Sequence, residues 1–289
     1  MSLSMRDRFV RDGESGVNEV SPSRTKMLDY DLVLLGIIGA ILVLGLIMVY
    51  SSSIAITEGP SNSIFRFNRY FMMQAIFIAV GFFGMFTVFN INMDKWEELS
   101  PYVYIAAVIF LVLVLIPFIG REVNGARRWI PLGPVNFQPT ELAKMAIVLY
   151  TARYAVRNRH GIGNFSWSEG LVRGVLPIVA LLVILAYLSY LEPDLGAAMV
   201  IASICIGILF LGGLHSFYLI GATSAAIAFV SFAVFTKPWR LKRMTAFLDP
   251  FSEEYAQSSG YQLVHSLIAI GRGEWTGVGL GFSVEKLHY

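Results

Sequence analysis

Seven long runs of apolar residues recur along the chain, at 32–50, 71–89, 102–119, 139–155, 175–191, 195–214 and 217–235, separated by polar joints. Each is long enough to cross a hydrocarbon core of about 30 Å as a helix. The joint Glu192-Pro193-Asp194 is so short that the fifth and sixth runs must form a tight antiparallel pair. The joint 212–216 imposes the same on the sixth and seventh. The pattern predicts an all-α polytopic membrane protein with a helix bundle over 32–235.

The flanks read differently. Residues 1–31 are polar and lack a short apolar core followed by a small-residue cleavage site, so a disordered cytoplasmic tail is expected rather than a cleavable signal. Residues 236–289 begin with KPWRLKR, a basic, Trp-containing run of the kind that sits at a membrane interface. A short amphipathic helix is expected near 261–270. The glycines at 271, 273, 277, 279 and 281 suggest a flexible loop lining a groove, since no strand precedes them and no Gly-Lys-Ser/Thr follows.

Composition agrees with the pattern: 56% of residues are hydrophobic, 15% are charged and the mean hydropathy is +0.64. The net charge of +2 gives no sign of a nucleic-acid partner, and none is expected. A lone Cys205 excludes an internal disulfide. Cations are nearly balanced between the two sides of the bundle. The basic leader and the RYAVRNRH loop place the N-terminus in the cytoplasm. The cations then left on the outer face call for an anionic ligand there.

The fourth run carries the chemistry. Gln138-Pro139-Thr140-Glu141 opens a helix, with Pro at its first position and Glu141 near its positive end. Glu141 and Lys144 share one face. An ionisable residue so far into an apolar segment should face protein or water. Two readings fit: a structural ion pair, or an anion site made with Arg127, Arg128 and the helix N-terminus. Asp194 suits the cap of the sixth helix, and with Glu192 it is also placed to close a polar cavity. No HExxH, Cys/His spacing or Gly-x-Ser-x-Gly elbow is present.

NGARRWIPLGPVNFQPTELAKMAIVLYTARY, LEPDLGAAMV, FLDPF and GYQLVHSLIAIGRGEWTGVGLG, in that order, resemble the SEDS family of peptidoglycan glycosyltransferases. The GARRWIPLG form and the ending SVEKLHY are most similar to its cell-division members. The resemblance implies ten helices, about seven of them within this sequence, and a periplasmic loop over 236–289. It implies an enzyme of the bacterial inner membrane, at the septum, that joins lipid II units and releases undecaprenyl diphosphate. The partners implied are the growing glycan, a single-span penicillin-binding transpeptidase and other division proteins. A divalent cation is possible and no other cofactor is implied.

By motif position the resemblance assigns substrate or cavity roles to Arg127, Arg128, Trp129, Gln138, Glu141, Lys144, Glu192, Asp194, Gly196, Gln262, Ser266 and Lys286. It places the general base in a segment that would follow Tyr289, so no catalytic residue is assigned and the 289-residue chain alone is expected to be inactive. A lipid II flippase and a non-catalytic division scaffold are the competing readings.

Overall fold

The computed structural model describes residues 31–57, 69–123, 125–133 and 135–286. The polar leader expected to be a cytoplasmic tail therefore lies, apart from Asp31, outside the described residues. Among the described residues seven long helices form: α1 Leu32–Thr57, α2 Arg69–Phe89, α3 Met93–Leu115, α4 Pro139–Arg157, α6 Leu176–Leu191, α7 Leu195–Leu211 and α8 Ser216–Phe235. A short α5, Arg159–Gly163, and a π-helical segment, Trp167–Val175, lead into α6. After α8 come α9, Pro238–Leu248, and α10, Tyr261–Gly273.

Every one of the seven apolar runs coincides with a helix. Five helical segments are long and apolar enough to cross a membrane: 32–53, 70–89, 93–115, 167–191 and 216–235. The helix at 195–211 is apolar but shorter, and α4 carries four charged residues, Glu141, Lys144, Arg153 and Arg157. Helical and polytopic, the chain is a multi-pass membrane protein.

Several boundaries move, for physical reasons. The third run begins at Met93 instead of 102, because Pro101 does not break α3. Pro101 has no N–H to give the Glu97 carbonyl four residues earlier. Ser100 Oγ donates to that carbonyl at 2.9 Å and Arg153 from α4 donates at 3.0 Å, so the freed acceptor is satisfied. The same helix stops at Leu115, short of 119, where the chain turns. In the 236–289 segment, α9 begins at a proline in its first turn, where the missing N–H costs nothing. It is a helix the sequence pattern did not predict.

Between α3 and α4 lies a three-stranded antiparallel sheet, order β1-β2-β3, with β1 Arg121–Val123, β2 Ala126–Leu132 and β3 Val135–Phe137. Arg121 faces Trp129 and Glu122 faces Arg127 across the first pair; Ile130 faces Phe137 across the second. The third strand delivers the chain directly to α4.

The chain divides into two compact units. Of the described residues, those up to Gly81 with Val278 onward form one, in which Gly281 N–H donates to Ser51 Oγ at 3.0 Å. Residues 82–277 form the other and hold the core. That core is built from Leu111 of α3, Ala143 and Ile147 of α4, Ile178 and Leu185 of α6, and Ile201 and Cys205 of α7. Small residues bring the helices close, as membrane packing requires. Where α5 meets the π-helical segment, a Cβ on Gly174 would lie 2.6 Å from the Gly161 carbonyl carbon, so only glycine fits. Large apolar side chains on the outer faces, such as Val183 and Phe232, remain uncovered by protein, as lipid-facing residues are.

Candidate functional site

Residues 82–277 bring the N-terminus of α4, the C-terminus of α6 and the N-terminus of α7 to one end of the bundle. Successive side chains on a strand point to opposite faces, and this separates the two arginines of β2. Arg127 turns to its cross-strand neighbour and pairs with Glu122 at 3.1 Å, well exposed. Arg128 turns inward. Its Nε donates to the Glu192 carbonyl at 3.1 Å, and a terminal nitrogen donates to the Pro193 carbonyl. The guanidinium thus caps the carbonyl end of α6, where the helix dipole is negative. Among the described residues, three of its five N–H groups have no partner.

The two arginines of the anion-site reading are thus separated: Arg128 turns into the site and Arg127 away from it. Trp129 is half-buried on the same strand.

Gln138, at the N-terminal boundary of α4, donates to Asp194 Oδ2 at 3.5 Å. Asp194 caps α7, its other oxygen accepting from Ala197 N–H at 3.1 Å. Of the roles open to Asp194, the helix cap is the one observed, and the contact from Gln138 also ties α7 to α4. Gly196 follows inside α7; a Cβ there would meet only Asp194 Oδ1, at 3.7 Å, so packing does not demand glycine.

Glu192 is the unusual member. It is wholly buried, and neither carboxylate oxygen has a hydrogen-bond partner. Burial pushes its pKa up to about 8; neighbouring Asp194 raises it further, and Arg128 works against both. The carboxyl is therefore mostly protonated at neutral pH, and Arg128 keeps its positive charge uncancelled by Glu192.

Lys144 and Glu141 form an ion pair at 2.7 Å, Lys144 partly buried and Glu141 exposed. Gln262 and Ser266 lie one turn apart on the exposed face of α10. Lys286 ends a short 3-10 helix, Val284–Lys286, in the other unit, and its side chain lies outside the described residues. Among the described residues no group of three or more His, Cys, Asp or Glu side chains is placed to hold a metal ion.

Two contributors were not singled out from the sequence. Thr140 is fully buried at the start of α4, its hydroxyl unpartnered. Arg240 of α9 is 8% exposed, sits over the Tyr190 ring at 5.1 Å and donates to the Ala233 carbonyl at 2.8 Å, leaving Nε unpartnered. Pro238 at a helix start, after an apolar run, was the available signal for α9. Among the described residues the buried side-chain atoms lacking a partner are Thr140 Oγ1, both oxygens of Glu192 and Arg240 Nε, and all belong to this end of the bundle. Native proteins rarely leave such groups unpaired, so their concentration marks a site.

The comparisons with known proteins fall on the same residues. The family model described as cell cycle protein, covering FtsW, RodA and SpoVE, matches residues 32–289. The probable peptidoglycan glycosyltransferase FtsW of Burkholderia thailandensis is 43% identical over 275 residues, 95% of this chain and 58% of its own length. That of Taylorella equigenitalis is 48% identical over 246 residues, 85% of this chain and 65% of its own. The chain thus spans about three fifths of the length of the curated relatives it matches.

Among solved structures, a chain from the structural coordination of polymerization and crosslinking by a peptidoglycan synthase complex aligns with TM-score 0.62 and 30% identity. It covers 84% of this chain and 66% of that one. The Thermus thermophilus rod shape determining protein RodA aligns with TM-score 0.54 and 25% identity, over 84% and 75%. The β2 box, the opening of α4 and the α6–α7 turn all lie inside the matched region, and on that breadth of agreement the chain belongs to the FtsW/RodA/SpoVE family of cell cycle proteins.

Proposed function

We propose that the protein is a peptidoglycan glycosyltransferase of septal wall synthesis, joining lipid II units and releasing undecaprenyl diphosphate, with the Arg128–Glu192 end of the bundle outward and the N-terminus cytoplasmic. The observation that carries this reading is the gathering of unpartnered buried polar groups at the end of the bundle that holds Arg128, in a chain whose relatives are named as such enzymes.

In the reaction the acceptor's 4-hydroxyl oxygen forms a bond to the donor's anomeric carbon. The bond from that carbon to the diphosphate breaks, the diphosphate keeps the electron pair, and the hydroxyl proton passes to a base. Negative charge grows on the leaving group, so fixed donors near it stabilise the transition state. Arg128 is held in place by the α6–α7 turn and has N–H groups to spare, which suits it to that task. Glu192, kept neutral, does not repel the diphosphate. Lys144 has its charge matched by Glu141.

The peptidoglycan synthase complex among the structural neighbours supports a single-span transpeptidase as partner. The test follows lipid II in the presence of that partner, using residues 1–289 continued by the remainder of a full-length relative. Glycan polymer is expected. Movement of labelled lipid II across liposomes without polymer would replace the proposal with the flippase reading.

A further inference from the structure

We propose that α9 is a docking surface for the headgroups of anionic phospholipids. The inference does not depend on the glycosyltransferase reading. Its starting point is position. α8 crosses the membrane and ends at Phe235, and α9 begins at Pro238. A joint this short reaches about 10 Å at most, so the start of α9 is held near the level of the headgroups.

Arg240 then fixes which way the helix faces. Its guanidinium lies between the Tyr190 ring of α6, at 5.1 Å, and the Trp239 ring, at 5.0 Å, while it donates to the Ala233 carbonyl in the last turn of α8. Ala246, two turns further on, is also buried. α9 is thereby pinned along the end of the bundle by one face and cannot swing away from it.

The exposed positions of α9, with Lys237 just before it, have the composition of an interfacial helix. Lys237, Lys242 and Arg243 are exposed, and among the described residues none of them is in an ion pair. No acidic residue occurs within α9; Asp249, Glu253 and Glu254 follow only after its end. Trp239 is exposed beside the Arg243 guanidinium, at 5.6 Å, and Met244, Phe247 and Leu248 are exposed further along. Cations together with Trp, Phe and Leu on one short helix suit a surface whose headgroups are negative and whose acyl boundary is apolar. Each such cation near an anionic bilayer strengthens binding roughly fivefold.

The experiment uses the 289-residue chain, purified in mild detergent with equal amounts of phosphatidylglycerol and phosphatidylethanolamine, and counts retained lipids by native mass spectrometry. The wild-type chain is expected to retain phosphatidylglycerol preferentially. K242A/R243A, which removes two exposed side chains and should leave the circular dichroism unchanged, is expected to lower that preference roughly 25-fold. Equal preference in variant and wild type overturns the proposal. So does a polyprenyl diphosphate that displaces phosphatidylglycerol from the wild-type chain at equal concentration but not from K242A/R243A, because the patch would then belong to a diphosphate ligand.

Discussion

At the end of the bundle where α3 starts and α4 stops, polar groups have partners. Arg153 and Ser100 both donate to the carbonyl that Pro101 leaves free, Arg157 pairs with Glu97, and the Tyr154 hydroxyl lies 3.0 Å from the Gly174 carbonyl. At the end where α6 stops and α7 starts, among the described residues, Thr140, Glu192 and Arg240 keep buried atoms without partners and Arg128 engages only backbone carbonyls. The same helices build both ends. A fold that satisfies its polar groups at one end and leaves several buried ones unpaired at the other is holding those few for something else.

The largest expected effect tests that contrast directly. Arg128→Ala, in the extended protein used for the polymerisation assay, should lower lipid II polymerisation by about 100- to 1000-fold, the range seen when one fixed donor to a developing charge is removed. Membrane insertion should be normal, since the seven apolar runs are untouched. Polymerisation within a few fold of wild type would leave Arg128 as a clamp on the α6–α7 turn alone.

Next comes Glu192. Its folded-state pKa of about 8 lies above the ordinary 4.5, so the folded protein holds a proton that the unfolded chain releases in this window. The group's stabilising contribution is complete below about pH 4.5 and is lost as pH rises through about 8. Glu192→Gln keeps the shape and removes the titration. The fall in melting temperature between pH 5 and pH 9 should shrink by roughly 5–10 °C. An unchanged pH profile would show that the carboxyl is solvated or ionised, and the contrast between the ends would weaken.

The positions of the helices were legible in the sequence because a run of apolar residues long enough to span has few other uses. So were the start of α4 at Pro139, where a proline before a helical face has one good place, and the Glu141–Lys144 contact, which helical spacing alone brings within reach. The parting of Arg127 and Arg128 was not, because it depends on knowing that residues 126–132 are a strand, and GARRWIPLG has no clear alternation. Nor was the satisfaction of Pro101: the rescuing Arg153 lies on another helix, 56 residues from the carbonyl it serves. The burial of Glu192 likewise appears only when three helix ends close over a turn whose composition looks like a surface joint.

A smaller effect is expected from Arg153→Ala at the partnered end. It removes one donor from the Glu97 carbonyl but leaves Ser100 Oγ in place. The cost should be about 1 kcal/mol, the usual net value of one hydrogen bond, read as a lowering of the melting temperature by about 2–4 °C. Polymerisation should be unchanged. A much larger loss would mean that the proline-freed carbonyl depends on the arginine alone.

The smallest effect should come from Arg157→Ala, four residues further along the same helix. Arg157 lies 2.7 Å from Glu97, closer than Arg128 approaches the Glu192 carbonyl, so distance alone would rank it higher. Exposure reverses the ranking. The two side chains are 57% and 46% exposed, so water and salt screen their attraction, and ordering two long side chains offsets much of what remains. The pair is worth about 0.2–1 kcal/mol, and some of that is the favourable placement of a cation at the last turn of α4. The melting temperature should fall by no more than about 2 °C at low salt and by less at high salt. Polymerisation should stay at the wild-type level, because no buried group depends on this guanidinium. If Arg157→Ala instead abolished polymerisation as Arg128→Ala is expected to, burial and lack of a partner would not be what distinguishes the functional end, and the site would have to be sought at both.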